Sequence, residues 1–322
     1  MKRPKEEKPA APSRLDDAAR AGWLYYVAGN TQDEIAAKLN VSRPTAQRLV
    51  SLALSERLIT FRLNHPIAAC MELAQQLSDR YGLEHCDVVP TDPEHKTSVA
   101  GVAASAAAFL EQRLAATAPL IIALGTGRTL RAAVDQIRPM ECPRHQLVSL
   151  VGNIAPDGSA SFFDTLTRLA DLTQARHYPI PLPLVAASPS EKKLLLSLEP
   201  VRHVHELAER ADLTLVGVGQ MDSAAQLFID GFISRQELYD TMRAGAAGEI
   251  TGWSFDEAGV ALKVGVNARI TSVSLKPANG RLVLGVAAGP GKVKPIRAAL
   301  AGRLISGLIT DETTAAALLE SA

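Results

Sequence analysis

Three spacings of apolar residues alternate along this chain. Near the N-terminus they recur at helical intervals. Ala19, Trp23, Tyr26 and Val27 mark a first helix over 15–28, stopped by Gly29-Asn30. Thr31 followed by Glu34 is a capping-box pattern that opens a second helix, with Ile35, Ala36 and Leu39 on its inner face. Asn40 falls where a tight turn needs positive φ. Ser42 caps a third helix, Pro44 sits in its first turn, and Val41, Ala46, Leu49 and Val50 face inward. The alternation of Leu58–Leu63 predicts a short wing strand, with Arg62 aimed at a phosphate, and His65-Pro66 breaks the pattern. A further helix is expected over 67–81.

From Cys86 on, continuous apolar runs alternate with helical stretches. The predicted strands are Asp87–Pro90, Leu120–Leu124, Leu147–Val151, Leu213–Val218, Leu282–Val286 and Leu304–Ile309. Helices are expected over 97–114 and 129–137. Uninterrupted apolar strands separated by helices indicate a parallel sheet covered on both faces. The organisation expected is a disordered tail over 1–13, a helical domain over 14–64, a connecting helix over 65–82 and an α/β domain over 83–322.

The outward face of the third helix carries Arg43, Thr45, Gln47 and Arg48, side chains able to read base edges in a major groove. With the caps Thr31 and Ser42, and with Gln32 placed to hold a phosphate, they make a candidate double-stranded DNA surface of helix-turn-helix type. Charge is consistent with this. Residues 1–66 hold 11 Lys/Arg against 7 Asp/Glu, leaving 23 against 27 of the 34 and 34 for the remainder. A basic front on an acidic body suits a nucleic-acid reader joined to a sensing domain. Helix-turn-helix proteins usually bind paired half-sites, so a homo-oligomer is expected.

The body offers a second chemistry. Leu124 leads into Gly125-Thr126-Gly127-Arg128-Thr129 at the start of a helix, where amides, hydroxyls, a guanidinium and the helix dipole suit a phosphate or polyhydroxy ligand. It lacks the Gly-Lys-Ser/Thr of a Walker loop and the third Gly of a dinucleotide fingerprint. Gly217–Ser223, with Gly219, Gln220 and Asp222, and Ala288–Lys292 end two further strands, and Gly152 follows another. Lys292 at a helix start opposes the dipole, which a bound anion would explain.

These blocks, with Gly245–Ile250 (including Glu249), Asp256, Val286–Leu300 and Leu308–Glu312, resemble the SorC/DeoR-type family of sugar-responsive transcriptional regulators over nearly all of 15–322. The resemblance implies a winged-type helix-turn-helix domain joined to a Rossmann-like α/β effector domain, similar to ribose-phosphate isomerase and glucosamine-phosphate deaminase folds but without their catalysis. It implies that the Gly-Thr loop and Lys292 hold the phosphate or polar end of a sugar, polyol or sugar-phosphate effector, that Glu249 meets its hydroxyls, and that the chain forms a homotetramer or homodimer. This chain departs from the family pattern at Ala288-Gly289, at Glu249 and near Ser161-Phe-Phe163.

Two other readings are open: a sugar-phosphate isomerase, deaminase or lactonase with an accessory helical domain, and a constitutive DNA-binding protein with a vestigial pocket. Against the enzyme, the seven histidines form no recognisable cluster, and His203 and His205 fall on different helix faces as partly exposed surface residues. No metal or other cofactor is implied. Cys70, Cys86 and Cys142 have no pairing or metal-type spacing. With no signal-type or membrane-length apolar run, they suit a cytoplasmic protein.

Overall fold

The computed structural model describes residues 14–320, apart from 57, 60–66, 93, 96–97, 155–157, 160–163 and 275. The tail over 1–13, most of the expected wing with Arg62, the His65-Pro66 break and the Ser161–Phe163 departure lie outside the described residues. Contacts divide the chain into two compact units, meeting at Asn64 and His65.

In the first unit, α1 (Arg14–Tyr26), α2 (Gln32–Leu39) and α3 (Arg43–Ser55) pack around Ile35, Ala46, Leu49 and Val50. The caps form as their sequences dictate. Thr31 accepts from the Glu34 amide, and the Glu34 carboxylate accepts from the Thr31 amide at 2.7 Å. That amide and the Thr31 hydroxyl hold the Glu34 carboxyl below its ordinary pKa. Asn40 closes α2 in the left-handed conformation at φ 52°, and Ser42 accepts from the Thr45 amide at 3.3 Å. One inner stripe differs from expectation. Trp23 and Val27 are 54% and 65% exposed, and α1 buries Ala18, Ala21 and Gly22 instead. The reason is close approach: a β-carbon on Gly22 would stand 2.7 Å from that of Ala53 on α3.

The second unit begins with α4 (Ala68–Tyr81), β1 (His85–Val89), α5 (Ala100–Leu114), β2 (Ile121–Leu124), α6 (Arg128–Val134) and β3 (Gln146–Ile154). It continues through α7 (Thr165–Thr173), β4 (Arg176–Pro183), α8 (Pro189–Ser197), α9 (Glu199–Glu209), β5 (Leu213–Val216), α10 (Gln226–Ile229) and α11 (Arg235–Arg243). A hairpin of β6 (Gly248–Ile250) and β7 (Trp253–Phe255) precedes β8 (Leu282–Val286), α12 (Val293–Ala301), β9 (Gly307–Asp311) and α13 (Glu312–Leu319). Seven strands form one parallel sheet in the order β1-β9-β8-β5-β2-β3-β4.

Its strands feed two apolar layers by alternation. Ile122, Leu124, Leu147, Leu215 and Leu284 face the layer that includes α5, α6 and α7, while Ala123, Val148, Val216 and Leu308 face the layer that includes α9, α12 and α13. Rather than standing apart as a connector, α4 buries Leu77 in this body, and Tyr81 and Arg80 donate to the carbonyls of Leu318 and Leu319 at the end of α13. The three cysteines are free thiols, and burial pushes that of Cys86 up to about 12, so it is unreactive at neutral pH.

From β2 the chain runs outward to β3 and β4, then returns to place β5 on the other side of β2. That reversal opens a crevice at the carboxyl ends of β2 and β5, where doubly wound sheets bind their ligands.

Candidate functional site

A cavity of about 520 Å³ occupies that crevice. The loop after β2 supplies Gly125, Thr126, Gly127, Arg128 and Thr129, the loop after β5 supplies Gly219 and Gln220, and the loop after β8 supplies Gly289 and Lys292. Glu249 and Thr251 enter from the hairpin, and Ser149 and Gly152 from β3. The structure thus brings together nearly all the residues singled out in the body.

Two loops share one device. Gly127 (φ 122°) and Gly289 (φ 112°) each precede a helical turn in a conformation that favours glycine. After Gly127 the first turn of α6, Arg128 to Leu130, lines the cavity, and amides at a helix start have no intrahelical acceptors. The Gly289 amide instead donates to Thr314 Oγ1 at 2.8 Å, which pins its loop to α13.

Glu249 is held from both sides. Its backbone exchanges two hydrogen bonds with Gly219, at 2.8 and 2.9 Å, and its carboxylate accepts from the Gly252 amide at 2.8 Å. The carboxylate keeps some surface open to the cavity, but the protein mass around it raises its pKa; the Gly252 amide and Lys292 oppose that rise. Burial likewise lowers the pKa of Lys292, against the pull of Glu249 and Asp222. Both groups line the cavity, each in the electrostatic field of the other. The turn that presents Glu249 is strained: Thr251, a β-branched residue, adopts φ 52°, followed by Gly252 at 89°.

Arg128 is engaged across the mouth. Its guanidinium donates to Gln226 Oε1 at 2.5 Å and lies 3.7 Å from Asp230 Oδ1, while Gln226 Nε2 donates to Asp230 Oδ1 at 3.1 Å. Sequence reasoning missed Gln226 and Asp230, because neither stands in a glycine-rich loop or a recognisable motif. It also missed Thr165, whose hydroxyl donates to the Gly125 carbonyl at 2.6 Å and steadies that loop.

Three expected residues have other work. Asp256 does not line the cavity: its carboxylate accepts the amides of Ala258 and Val260, closing a turn after β7. Asp222 lies just outside, accepting from the Ala224 amide at 2.8 Å, and reaches the site through Gln220, whose Nε2 donates to it at 3.5 Å, and through its field on Lys292. Gly152 lines the cavity, yet its lack of a side chain serves packing, since a β-carbon there would stand 2.3 Å from the Leu182 carbonyl oxygen. His205 is half-buried, with a buried Nε2 that has no partner.

On the first unit, Arg43, Gln47 and Arg48 are exposed along α3, Thr45 and Gln32 are half-buried, and Thr31 and Ser42 are occupied as caps. Arg43 forms an exposed ion pair with Asp33 at 3.5 Å. Among the described residues no group of His, Cys, Asp and Glu could hold a metal ion, and no helix is long and apolar enough to cross a membrane.

Comparison with known proteins covers both units. A family described as "Putative sugar-binding domain" matches residues 65–320. The erythritol catabolism regulatory protein EryD of Brucella abortus is 32% identical over 302 residues, 94% of this chain and 96% of its own. The transcriptional regulator LsrR of an Enterobacter species is 31% identical over 94% of this chain and 92% of its own. The full-length sorbitol operon regulator SorC of Klebsiella pneumoniae shares the fold, with a TM-score of 0.68 and 23% identity over 95% of this chain and 99% of that structure.

Proposed function

Because this chain belongs to the SorC/DeoR-type family of transcriptional regulators that carry a sugar-binding domain, we propose that its α2–α3 pair is a helix-turn-helix docking a double-stranded DNA operator. The cavity of the second unit takes the sugar, polyol or sugar-phosphate effector that controls that docking. The observation that carries this reading is that the likeness to a named regulator spans both units, over 94% of the chain. The relatives reported above are named as regulators, and the enzyme alternative finds no support among them. The described lining of the cavity also holds neither histidine nor cysteine.

On the DNA side, Arg43, Thr45, Gln47 and Arg48 read base edges, Gln32 holds a phosphate, and Asn40 sets the turn between the two helices. An exposed pair such as Arg43–Asp33 contributes little in water, so Arg43 is readily surrendered to guanine or phosphate. On the ligand side, Gly125–Thr129 and Lys292 hold one end of the effector and Glu249 meets hydroxyls. Two copies or four present paired reading heads, and the effector shifts their spacing by binding one arrangement better than the other.

The test is a pair of assays on purified full-length Arg43→Ala and Arg48→Ala. Each should lose specific operator binding while thermal stabilisation by the effector persists. Normal operator affinity in both variants would move the reading surface off α3.

A further inference from the structure

Among the described residues, the cavity lining holds more carboxylates than cations. Its described ionisable lining is Arg128 and Lys292 against Asp164, Asp230 and Glu249. Asp164 is spent as the cap of α7, accepting the amides of Leu166 and Thr167. Arg128 lies beside Asp230, 3.7 Å away and linked to it through Gln226, while Lys292 stands in the negative field of Glu249 and, from outside the cavity, of Asp222. A proton passed between Lys292 and Glu249 leaves the sum unchanged.

A phosphate monoester brings close to two negative charges at neutral pH. To sit on Arg128, the phosphate must come in beside the Asp230 carboxylate, which is partly buried and 3.7 Å from the guanidinium, so one anion is placed next to another. A hydroxyl has no such difficulty. It both donates and accepts, so a chain of hydroxyls can donate to Asp230 and Glu249 while accepting from Arg128, Gln226 and Lys292 without displacing the Arg128–Asp230 contact.

We propose that the effector of this cavity is an uncharged polyol or sugar, and that Asp230, by engaging Arg128, selects against phosphate esters. This rests on the effector-site reading above and narrows it to one chemical class.

The experiment is calorimetric titration of the full-length protein and of Asp230→Asn with erythritol, sorbitol, erythritol 4-phosphate and sorbitol 6-phosphate. The wild type should bind at least one polyol more tightly than its own phosphate. Asp230→Asn should raise the phosphate-to-polyol affinity ratio about tenfold, because one like charge near the phosphate is gone. A phosphate bound by the wild type more tightly than its parent polyol overturns the proposal and leaves the effector site standing. So does a ratio unmoved in a variant whose melting curve shows it folded. The wild-type comparison decides by itself if Asp230→Asn is unstable. Neither heat nor thermal stabilisation from these four or from a wider panel of sugars, polyols and their phosphates, with either protein, overturns the effector-site reading itself.

Discussion

Gly219→Ala is a small change with a directed consequence. A β-carbon there would stand 1.9 Å from Oε1, 2.6 Å from Cδ and 2.8 Å from Cγ of Glu249. The two backbones cannot easily part, because they exchange hydrogen bonds of 2.8 and 2.9 Å. Relief therefore comes from the Glu249 side chain, which must swing away and surrender the Gly252 amide. Overpacking of this kind costs about 1–3 kcal/mol of stability. A hydrogen bond to a charged group is worth about 1.5–3 kcal/mol, so an effector that relies on Glu249 should bind roughly 10–100-fold more weakly. Calorimetric titration of wild type and variant with the strongest ligand of a sugar and polyol panel measures the loss. Operator binding without ligand should persist, since Gly219 lies in the other unit. Effector affinity in the variant within threefold of wild type would refute the reasoning that Glu249, held as it is here, contacts the ligand.

Other sites respond differently. Gly152→Ala points at the Leu182 carbonyl oxygen, 2.3 Å away, and backbone yields less readily than a side chain, so its melting temperature should fall further than that of Gly219→Ala; an equal or higher value contradicts the packing role. Thr251→Asn should raise the melting temperature, because a left-handed conformation costs a β-branched residue about 1–2 kcal/mol and Asn tolerates it; a lower melting temperature would show that no strain is stored there. Acid should destabilise the second unit through His85 and His205. Burial lowers the pKa of both, and the buried Nε2 of each has no partner. A depressed imidazole contributes stability fully above its unfolded value of about 6.5, lost as pH falls through the lower folded value. His205→Gln should flatten the decline in melting temperature below about pH 6.5, and an unchanged profile would remove His205 from that account.

Much of this architecture could be read from the chain because its signals are local. The cap pairs Thr31/Glu34 and Ser42/Thr45, the left-handed Asn40 and the unbroken apolar strands each require only neighbours in sequence. What escaped depends on partners far along the chain. β4 carries Pro179, Pro181 and Pro183, which argue against a strand until it is seen at the sheet edge, where missing donors cost little. The inner stripe of α1 was misread because Gly22 and small alanines, rather than Trp23, face α3 at close range. In the cavity, glycine-rich loops mark themselves by composition. Asp230 and Gln226 do not; they matter only because α10 folds over Arg128, nearly a hundred residues earlier. Asp256 shows the converse, an acid in a suggestive stretch that closes its own turn.

The most direct measurement is operator binding by the purified full-length protein at one fixed salt concentration, using DNA from upstream of its own gene, with and without sugars, polyols and their phosphates. Salt must be constant because phosphate contacts make affinity steeply salt-dependent. The account predicts specific binding whose affinity or footprint one ligand class shifts, with Gly219→Ala blunting the shift. Specific binding that no ligand alters would leave a constitutive DNA-binding protein, and the absence of specific binding under every condition would contradict the account at its centre.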